Sequence, residues 1–326
     1  KRELLPGLER IAGDLAAMAH RYKDVAMIAR THGQEASPTT VGKELAIFAH
    51  RLERQLKLLR AQEYLGKANG AVGNMNAHRF AYQDVDWLEH SRAFVEGLGL
   101  VWNPLTTQIE SHDFLAELFH TTVRIDTILL GFARDIWGYV SLGYFTQKTV
   151  AGEVGSSVMP HKVNPIDFEN CEGNLGLATA IFEHLAGKLP VSRWQRDLSD
   201  SSAIRAMGTA FGHVTVAISS LERGLKKLEL NPSRVAADLE DEKAWEVLAE
   251  AIQTLMRRYG IERPYEKLKD FTRGRAVDRR MVEDFVAKLP LDPDARAALA
   301  RLAPKNYLGY AAELVERFTP GSRPKR

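Results

Sequence analysis

Residues 108–147 read QIESHDFLAELFHTTVRIDTILLGFARDIWGYVSLGYFTQ, and this stretch decides the fold class. It contains no proline, and its apolar side chains recur three or four residues apart, as in a helix. These side chains lie on more than one face, whereas an exposed amphipathic helix carries a single apolar stripe. The stretch therefore predicts a long helix, Gln108–Gln147, that is buried among other helices.

The segments on either side have the same character. Helical spacing of apolar residues also marks Lys1–Lys23 and Thr40–Ala61, and a further helix is expected over Ile166–Ala186, directly after Pro165. Alternating patterns typical of strands are nearly absent. These features predict an all-α protein built on a long-helix bundle.

The last third of the chain differs from the first two. From about Leu230 the predicted helices shorten and turn signals become frequent, with Asn231 or Ser233 as a helix N-cap. We expect a central bundle domain over residues 1–229, with a catalytic loop at 150–164. A small C-terminal helical domain is expected over residues 230–326.

Composition excludes several classes of protein. The 326 residues carry a net charge of only +2, which argues against a protein that coats nucleic acid. No apolar stretch approaches the roughly 18–20 residues that span a bilayer, so no membrane association is expected. The single cysteine, Cys171, excludes an intramolecular disulfide and a multi-cysteine zinc site, and it suits a reducing, cytoplasmic location.

The beginning of the chain is abrupt. Residue 1 is Lys rather than Met, and an amphipathic helix follows at once without an apolar signal segment. We therefore expect an N-terminal segment to be missing.

One segment does not fit a regular helix. Residues 150–165, VAGEVGSSVMPHKVNP, contain two glycines, two serines and two prolines between long helices. Loop amides, the charge of Lys162 and the N-terminus of the next helix together resemble an anion-binding site. The alternative is a solvent loop of accidental composition.

Three further segments collect polar side chains that a bundle does not need for packing. The first is residues 30–34, with His32 at a predicted helix entry. The second is residues 103–110, with Gln108, which open the longest predicted helix. The third is residues 192–201, with Arg196 and Ser201, followed by Arg205. Paired guanidinium groups of the third segment suit a phosphate or carboxylate. Each segment also has a plainer interpretation: a surface or cap histidine, an N-cap by Thr106 or Thr107, and a capped helix with solvated arginines.

Common catalytic motifs are missing from the sequence. It contains no Gly-rich phosphate loop, no His-Glu-x-x-His and no Gly-x-Ser-x-Gly, and its ten histidines show no metal-ligand spacing. No metal site is predicted.

Taken together, the polar segments resemble the fumarase/aspartase superfamily of lyases. Residues 156–165, SSVMPHKVNP, match the Ser-Ser-x-Met-Pro-x-Lys-x-Asn loop of that superfamily. RTHGQ at 30–34, GAVGN at 70–74, TTQIE at 106–110, KLPVSRWQRD at 188–197 and MRRYG at 256–260 are similar to the branch that cleaves adenylosuccinate in bacterial purine biosynthesis. The resemblance covers nearly the whole chain.

The resemblance implies a β-elimination that releases fumarate from a succinylated nitrogen. The substrates would be adenylosuccinate, which gives AMP, and the succinylated aminoimidazole carboxamide ribotide. By position, Ser156 matches the catalytic base and His32 the general acid. The implied substrate-binding residues are Gln108, Ser157, Lys162, Asn164, Asn170, Arg196, Ser201 and Arg205. No cofactor is needed, because a carboxylate of the substrate acts as the electron sink.

The resemblance also implies an assembly. Conserved segments of different subunits meet in a homotetramer with shared active sites. Superfamily members carry a domain ahead of the bundle that supplies a further histidine and nucleotide contacts. It has no counterpart in this sequence, so we expect the chain alone to self-associate but to be nearly inactive.

Two alternatives remain at this point. The first is a sister lyase such as argininosuccinate lyase or fumarase, which share the loop. The second is a non-catalytic helical scaffold, as the lens crystallins of this superfamily are. The segments at 106–110 and 188–197 favour the adenylosuccinate-cleaving branch.

Overall fold

A computed structural model describes residues 3–148, 163–272 and 278–319. Ser156, Ser157 and Lys162 of the predicted loop lie outside these residues. The chain divides into two compact units that are described here one at a time. The predicted domain boundary after residue 229 stays a prediction.

Helices dominate the described residues, and the all-α prediction is confirmed. The helices are α1 (Leu4–Arg21), α2 (Val41–Ala61), α3 (Asn76–Ala81), α4 (Trp87–Gly97), α5 (Asp113–Ser141), α6 (Ile166–Lys188), α7 (Ser199–Ala203), α8 (Met207–Lys227), α9 (Pro232–Glu240), α10 (Ala249–Arg258), α11 (Pro264–Thr272), α12 (Arg279–Ala287), α13 (Pro293–Ala300) and α14 (Ala311–Phe318). Three short 3₁₀ segments are Ile204–Ala206, Glu242–Leu248 and Pro304–Asn306. None of the described helices is long and apolar enough to cross a bilayer.

Within the described ranges the strands are short and form three two-stranded pairs. β1 (Ala26–Thr31) and β2 (Gln34–Thr40) are antiparallel, β3 (Leu65–Gly66) and β4 (Val101–Trp102) are parallel, and β5 (Phe145–Gln147) and β6 (Leu228–Leu230) are antiparallel.

The first unit is built on α5, α6 and α8. It comprises the described parts of Lys1–Ala12, Arg51–Trp137 and Ala151–Lys227. The ring of Phe119 on α5 stacks on Phe182 of α6 with centroids 5.2 Å apart, and Phe182 meets Phe211 of α8 edge-on at 4.8 Å. Such pairs contribute about 0.5–1.5 kcal/mol each beyond the area that they bury. Adjacent α5 positions are buried, so the helix is enclosed on several faces as predicted.

Ion pairs join α6 to α8 at the beginning of α6. The buried carboxylate of Asp167 lies 2.7 Å from Lys227 Nζ and 3.1 Å from Arg223 Nε. Asp167 also stands in the first turn of α6, where a negative charge suits the helix dipole. The start of α6 is therefore held firmly against α8.

The second unit comprises the described parts of Gly13–His50, Gly138–Val150 and Leu228–Arg326. Its main apolar core gathers side chains of α10, α11, α12 and α13, including Ile252, Met256, Leu268 and Val286. A smaller core packs Ile28 of β1 against Leu239 and Ala244. The predicted run of short helices after residue 230 is confirmed, and Asn231 caps α9 by accepting a hydrogen bond from the Arg234 N–H.

Two local predictions were wrong. The helix predicted over Gln108–Gln147 spans only Asp113–Ser141, and Phe145–Gln147 form strand β5 instead. The amide of His112 donates to the side chain of Glu110 at 2.6 Å, and His112 has a positive φ of 65°, which no helix residue adopts. His32 was placed at a helix entry, but it lies in the turn of the β1–β2 hairpin.

A buried carboxylate lies in the middle of α5. The side chain of Asp126 is fully buried, and neither of its oxygens makes a hydrogen bond of normal geometry to a described residue. Burial raises the pKa of Asp126 from 3.8 to about 8, and the nearby Thr179 hydroxyl opposes this shift. The folded chain thus holds a proton that the unfolded chain releases between these two pH values.

Asp126→Asn should stabilise the protein in a pH-dependent way. Because the folded state binds more protons than the unfolded state between pH 3.8 and about 8, stability falls as the pH rises through this window. The asparagine amide cannot ionise. At pH 8 we therefore expect the Tm of the Asp126→Asn variant to exceed that of the unsubstituted chain by at least about 2 °C. Calorimetry from pH 5 to 8.5 measures this, with Asp135→Asn on the exposed side of α5 as control. A difference that does not grow with pH would contradict the assignment.

Candidate active site

His32 occupies the tip of a tight hairpin in the second unit. Thr31 pairs with Gln34, so His32 and Gly33 form a two-residue turn, and their φ angles are 53° and 74°. Positive φ at both central residues is the signature of the type I′ turn, whose twist matches that of the strands. Glycine adopts this conformation without strain. The hairpin presents the exposed His32 side chain at its end.

Gln108 lies in the first unit, and its backbone is held from both sides. Lys67 Nζ donates to the Gln108 carbonyl at 2.5 Å and to that of Gly70 at 3.4 Å, and the Gln108 N–H donates to the Gln195 carbonyl at 3.3 Å. Burial lowers the pKa of Lys67. Two segments predicted separately, 103–110 and 192–201, are thereby brought together.

Arg196 and Ser201 lie side by side in the segment 192–201. Arg196 Nε donates to the Asp197 carbonyl at 2.9 Å, and its Nη2 lies 3.5 Å from Ser201 Oγ and 3.7 Å from Asp200 Oδ1. Hydrogen bonds from the Ser199 hydroxyl and N–H hold the pKa of Asp197 well below its usual range. Arg205 is exposed on the 3₁₀ segment that follows α7.

Sequence reasoning missed the residues that join these segments. His112 lies between two carboxylates, with Nδ1 3.9 Å from Glu110 and Nε2 3.7 Å from Asp200. Glu110 accepts a hydrogen bond from Asn103 at 3.0 Å. The polar run at 103–112 was the available signal, but its partners lie about ninety residues further along the chain.

Asn170 belongs to a different set of hydrogen bonds between α6 and α8. Its amide donates to Ser220 Oγ at 2.7 Å and accepts from Asn174 at 2.9 Å. His213 lies 2.8 Å from the side-chain oxygen of Asn174. Asn164 is half-buried just ahead of α6. The residues predicted for one site thus fall into separate clusters within the described chain.

A metal ion would need several histidine, cysteine or carboxylate ligands close together among the described residues. Among them, no three histidine, cysteine, aspartate or glutamate side chains are grouped so that they would hold a metal ion. The polar groups that are present, amides, hydroxyls and guanidinium groups, suit carboxylate and phosphate oxygens.

Two family models match the chain. The model described as "Lyase" matches residues 1–179, and the model described as "Adenylosuccinate lyase C-terminal" matches residues 192–308. Among solved structures, 3-carboxy-cis,cis-muconate lactonizing enzyme from Pseudomonas putida superposes with a TM-score of 0.75 at 25% identity, covering 97% of this chain and 71% of that one. A fumarate lyase from Mesorhizobium sp. BNC1 has the same fold, with a TM-score of 0.76 at 20% identity over 98% of this chain and 73% of that one. Fold and matches together define the class, a lyase of the fumarase/aspartase superfamily.

Proteins of similar sequence indicate which family of the superfamily the chain belongs to. The chain is 53% identical to adenylosuccinate lyase of Vibrio cholerae serotype O1 over 316 residues, which is 97% of this chain and 69% of that protein. It is equally similar, 53% over 315 residues with the same coverage, to adenylosuccinate lyase of Escherichia coli K12. The chain belongs to the adenylosuccinate lyase family, a family of carbon–nitrogen lyases.

Gly73→Ala should disrupt the support of the Gln108 segment. Gly73 has a φ of 86°, and a Cβ there would lie 2.1 Å from the Thr106 carbonyl oxygen. The strain and the backbone clash should cost about 1–3 kcal/mol, which lowers Tm by at least about 2 °C. Gly97→Ala in α4 is the matched control, because a Cβ there meets nothing within 4 Å. Equal melting temperatures for the two variants would show that the close approach of Gly73 to the Thr106 carbonyl does not require a glycine.

Proposed function

We propose that the protein cleaves adenylosuccinate to AMP and fumarate, and removes fumarate in the same way from the succinylated aminoimidazole carboxamide ribotide. The observation that carries the proposal is the 53% identity to adenylosuccinate lyases over 97% of the chain. The hydrogen bond from the Gln108 N–H to the Gln195 carbonyl supports it, because it joins two segments, 106–110 and 188–197, that resemble the same branch of the superfamily.

The reaction needs a base and an acid. In the proposal Ser156 removes the Cβ proton of the succinyl group, and the electron pair delocalises into the adjacent carboxylate. The C–N bond then breaks, and His32 gives a proton to the leaving nitrogen. An imidazole suits this step, because its ordinary pKa is near neutrality. The exposed position of His32 at a turn lets its ring reach a substrate.

The other residues bind the two charged ends of the substrate. We assign Ser157, Lys162 and Asn164 to the carboxylates of the succinyl group, and Arg196, Ser201 and Arg205 to the phosphate. Gln108 and Asn170 are proposed to bind the remaining polar groups. The hydrogen bonds that hold the Gln108 backbone and the Arg196 guanidinium fix these groups before substrate arrives, which reduces the entropy lost on binding.

We further propose a homotetramer with active sites shared between subunits. Support comes from the separate hydrogen-bonding clusters of Gln108 and Asn170, which different copies of the chain would bring to one substrate. A single buried cysteine, Cys171, suits a reducing compartment, so we also propose a cytoplasmic location, which cell fractionation would test.

Substitution of the base and the acid separates the two proton transfers. These variants, and those of every activity measurement below, are made in a full-length version of the protein. In it, Ser156→Ala should abolish exchange of the substrate's Cβ deuterium, whereas His32→Ala should keep this exchange and slow formation of AMP. Each should lower turnover by a factor of about 10²–10⁴, as is usual for positioned acid–base groups. The assay follows adenylosuccinate by absorbance and deuterium by mass spectrometry. Normal turnover by Ser156→Ala would require another base.

Mixing of two inactive variants tests the shared site. If Ser156 and His32 of one site come from different subunits, reassembled mixtures of Ser156→Ala and His32→Ala chains contain some sites with both residues intact. Activity should then reappear in the mixture, in proportion to the tetramers that sedimentation detects. Tetramers that stay inactive after mixing would indicate that one subunit supplies both residues.

A further inference from the structure

A closed ring of hydrogen bonds lies behind the hairpin in the second unit. Arg30 Nη1 donates to Tyr144 Oη at 2.8 Å, and Arg30 Nη2 donates to Asp238 Oδ2 at 2.9 Å. Tyr144 Oη donates to the same Asp238 oxygen at 2.6 Å. Arg234 pairs with the other oxygen of Asp238. Each of the three groups thus fixes the position of the other two.

The electrostatics strengthen this ring. Burial alone would raise the pKa of Asp238, but the hydrogen bonds from Tyr144, Arg30 and Arg234 outweigh it and lower the pKa. Burial raises the pKa of Tyr144 to about 12, so its hydroxyl remains a donor at neutral pH. The guanidinium of Arg30 also lies 5.4 Å from the centroid of the Tyr144 ring. Charge-assisted hydrogen bonds between half-buried groups are among the stronger kinds.

The ring is anchored to well-held backbone. The Tyr144 N–H donates to the Tyr139 carbonyl at 2.9 Å, and the Tyr144 carbonyl accepts from the Asn231 N–H at 2.8 Å. The rings of Tyr139 and Tyr144 stack with their centroids 6.0 Å apart. Asp238 lies on α9, whose first turn Asn231 caps. Tyr144 and Asp238 are therefore fixed points for Arg30.

The first strand of the hairpin, β1, is irregular in its pairing with β2. Its register shifts between Met27 and Ala29, so the ladder from Ala29 to Thr31 lies beyond an irregularity. Arg30 lies in this outer part, two residues before His32. On the second strand, Ser37 makes a separate contact by donating to Glu250. The hydrogen bonds of Arg30 to Tyr144 and Asp238 thus hold the outer part of β1, which leads directly to His32, the proposed acid.

We infer that Tyr144 and Asp238 are positioning residues for His32. By fixing the Arg30 guanidinium, they set the position of the hairpin tip and of the imidazole that it presents. The inference rests on the proposed function, in which His32 protonates the leaving nitrogen.

Tyr144→Phe removes one hydroxyl from the ring and keeps the aromatic packing. Tyr259→Phe is a closely matched control, because Tyr259 also donates to an aspartate, Asp292, at 2.7 Å in the same unit. On the chain itself, we expect amide hydrogen exchange between Ala29 and Ala36 to become at least about 10-fold faster in Tyr144→Phe and to stay unchanged in Tyr259→Phe. Exchange that is the same in both variants would overturn the inference.

Measurements of kcat and KM test whether Tyr144 acts on catalysis through His32. Tyr144→Phe should lower kcat for adenylosuccinate by about 10–100-fold and leave KM within about twofold, since small displacements of a catalytic group cost this much. In a His32→Ala background the same substitution should have no further effect on kcat. A full additional loss there would show that Tyr144 acts by another route and would overturn the inference.

Two further results keep the test decisive. If Tyr144→Phe fails to fold, Asp238→Asn, which keeps the shape of the side chain, takes its place in both measurements. If His32→Ala retains full turnover in the full-length version, or that version without substitutions has none, the proposed function fails. Amide hydrogen exchange alone then decides whether Tyr144 holds the hairpin.

Discussion

The burial of α5 is the constraint on which the first unit depends. A helix with apolar side chains on several faces is stable in water only if other helices cover them, and burial of each large side chain contributes about 1.5–3 kcal/mol. In the first unit, α6 and α8 cover it through the contacts of Phe119, Phe182 and Phe211. Phe132 of α5 also meets Phe168, in the first turn of α6, edge-on with centroids 6.3 Å apart, so the packing of α5 helps to fix the start of α6 near Asn164 and Asn170. The packing of the apolar core thus also positions the polar residues at the start of α6.

The sequence predicted the long helices well because their apolar spacing is a local signal. It predicted the β1–β2 hairpin badly because the strands are short and lack alternation, although the His32-Gly33 pair was a usable turn signal. The start of α5 was missed for a different reason. Asn103 and Glu110 bond to nearby backbone amides, and such side chains compete with the helix for those groups.

The residues of the candidate site likewise fall into those that a local motif indicates and those that only long-range contacts reveal. Motifs pointed to Gln108, Arg196 and Ser201, and the structure joins their two segments through the bond from the Gln108 N–H to the Gln195 carbonyl. Motifs did not point to Tyr144 and Asp238, because a single tyrosine or aspartate in a sequence carries no sign of a partner. Tyr144 and Asp238 are 94 positions apart, and Arg30 and Asp238 are 208 apart. Only the folded chain reveals that they share one carboxylate oxygen, and that this contact lies two residues from His32.

The central claim is that this site eliminates fumarate from a succinylated purine nucleotide. A substrate panel tests it most directly, with fumarate measured after incubation with adenylosuccinate, argininosuccinate or malate, under identical conditions and at verified protein mass. From a full-length version of the protein we expect fumarate and an equal amount of AMP from adenylosuccinate, and no fumarate from the other two. Fumarate from argininosuccinate or malate, with none from adenylosuccinate, would contradict it.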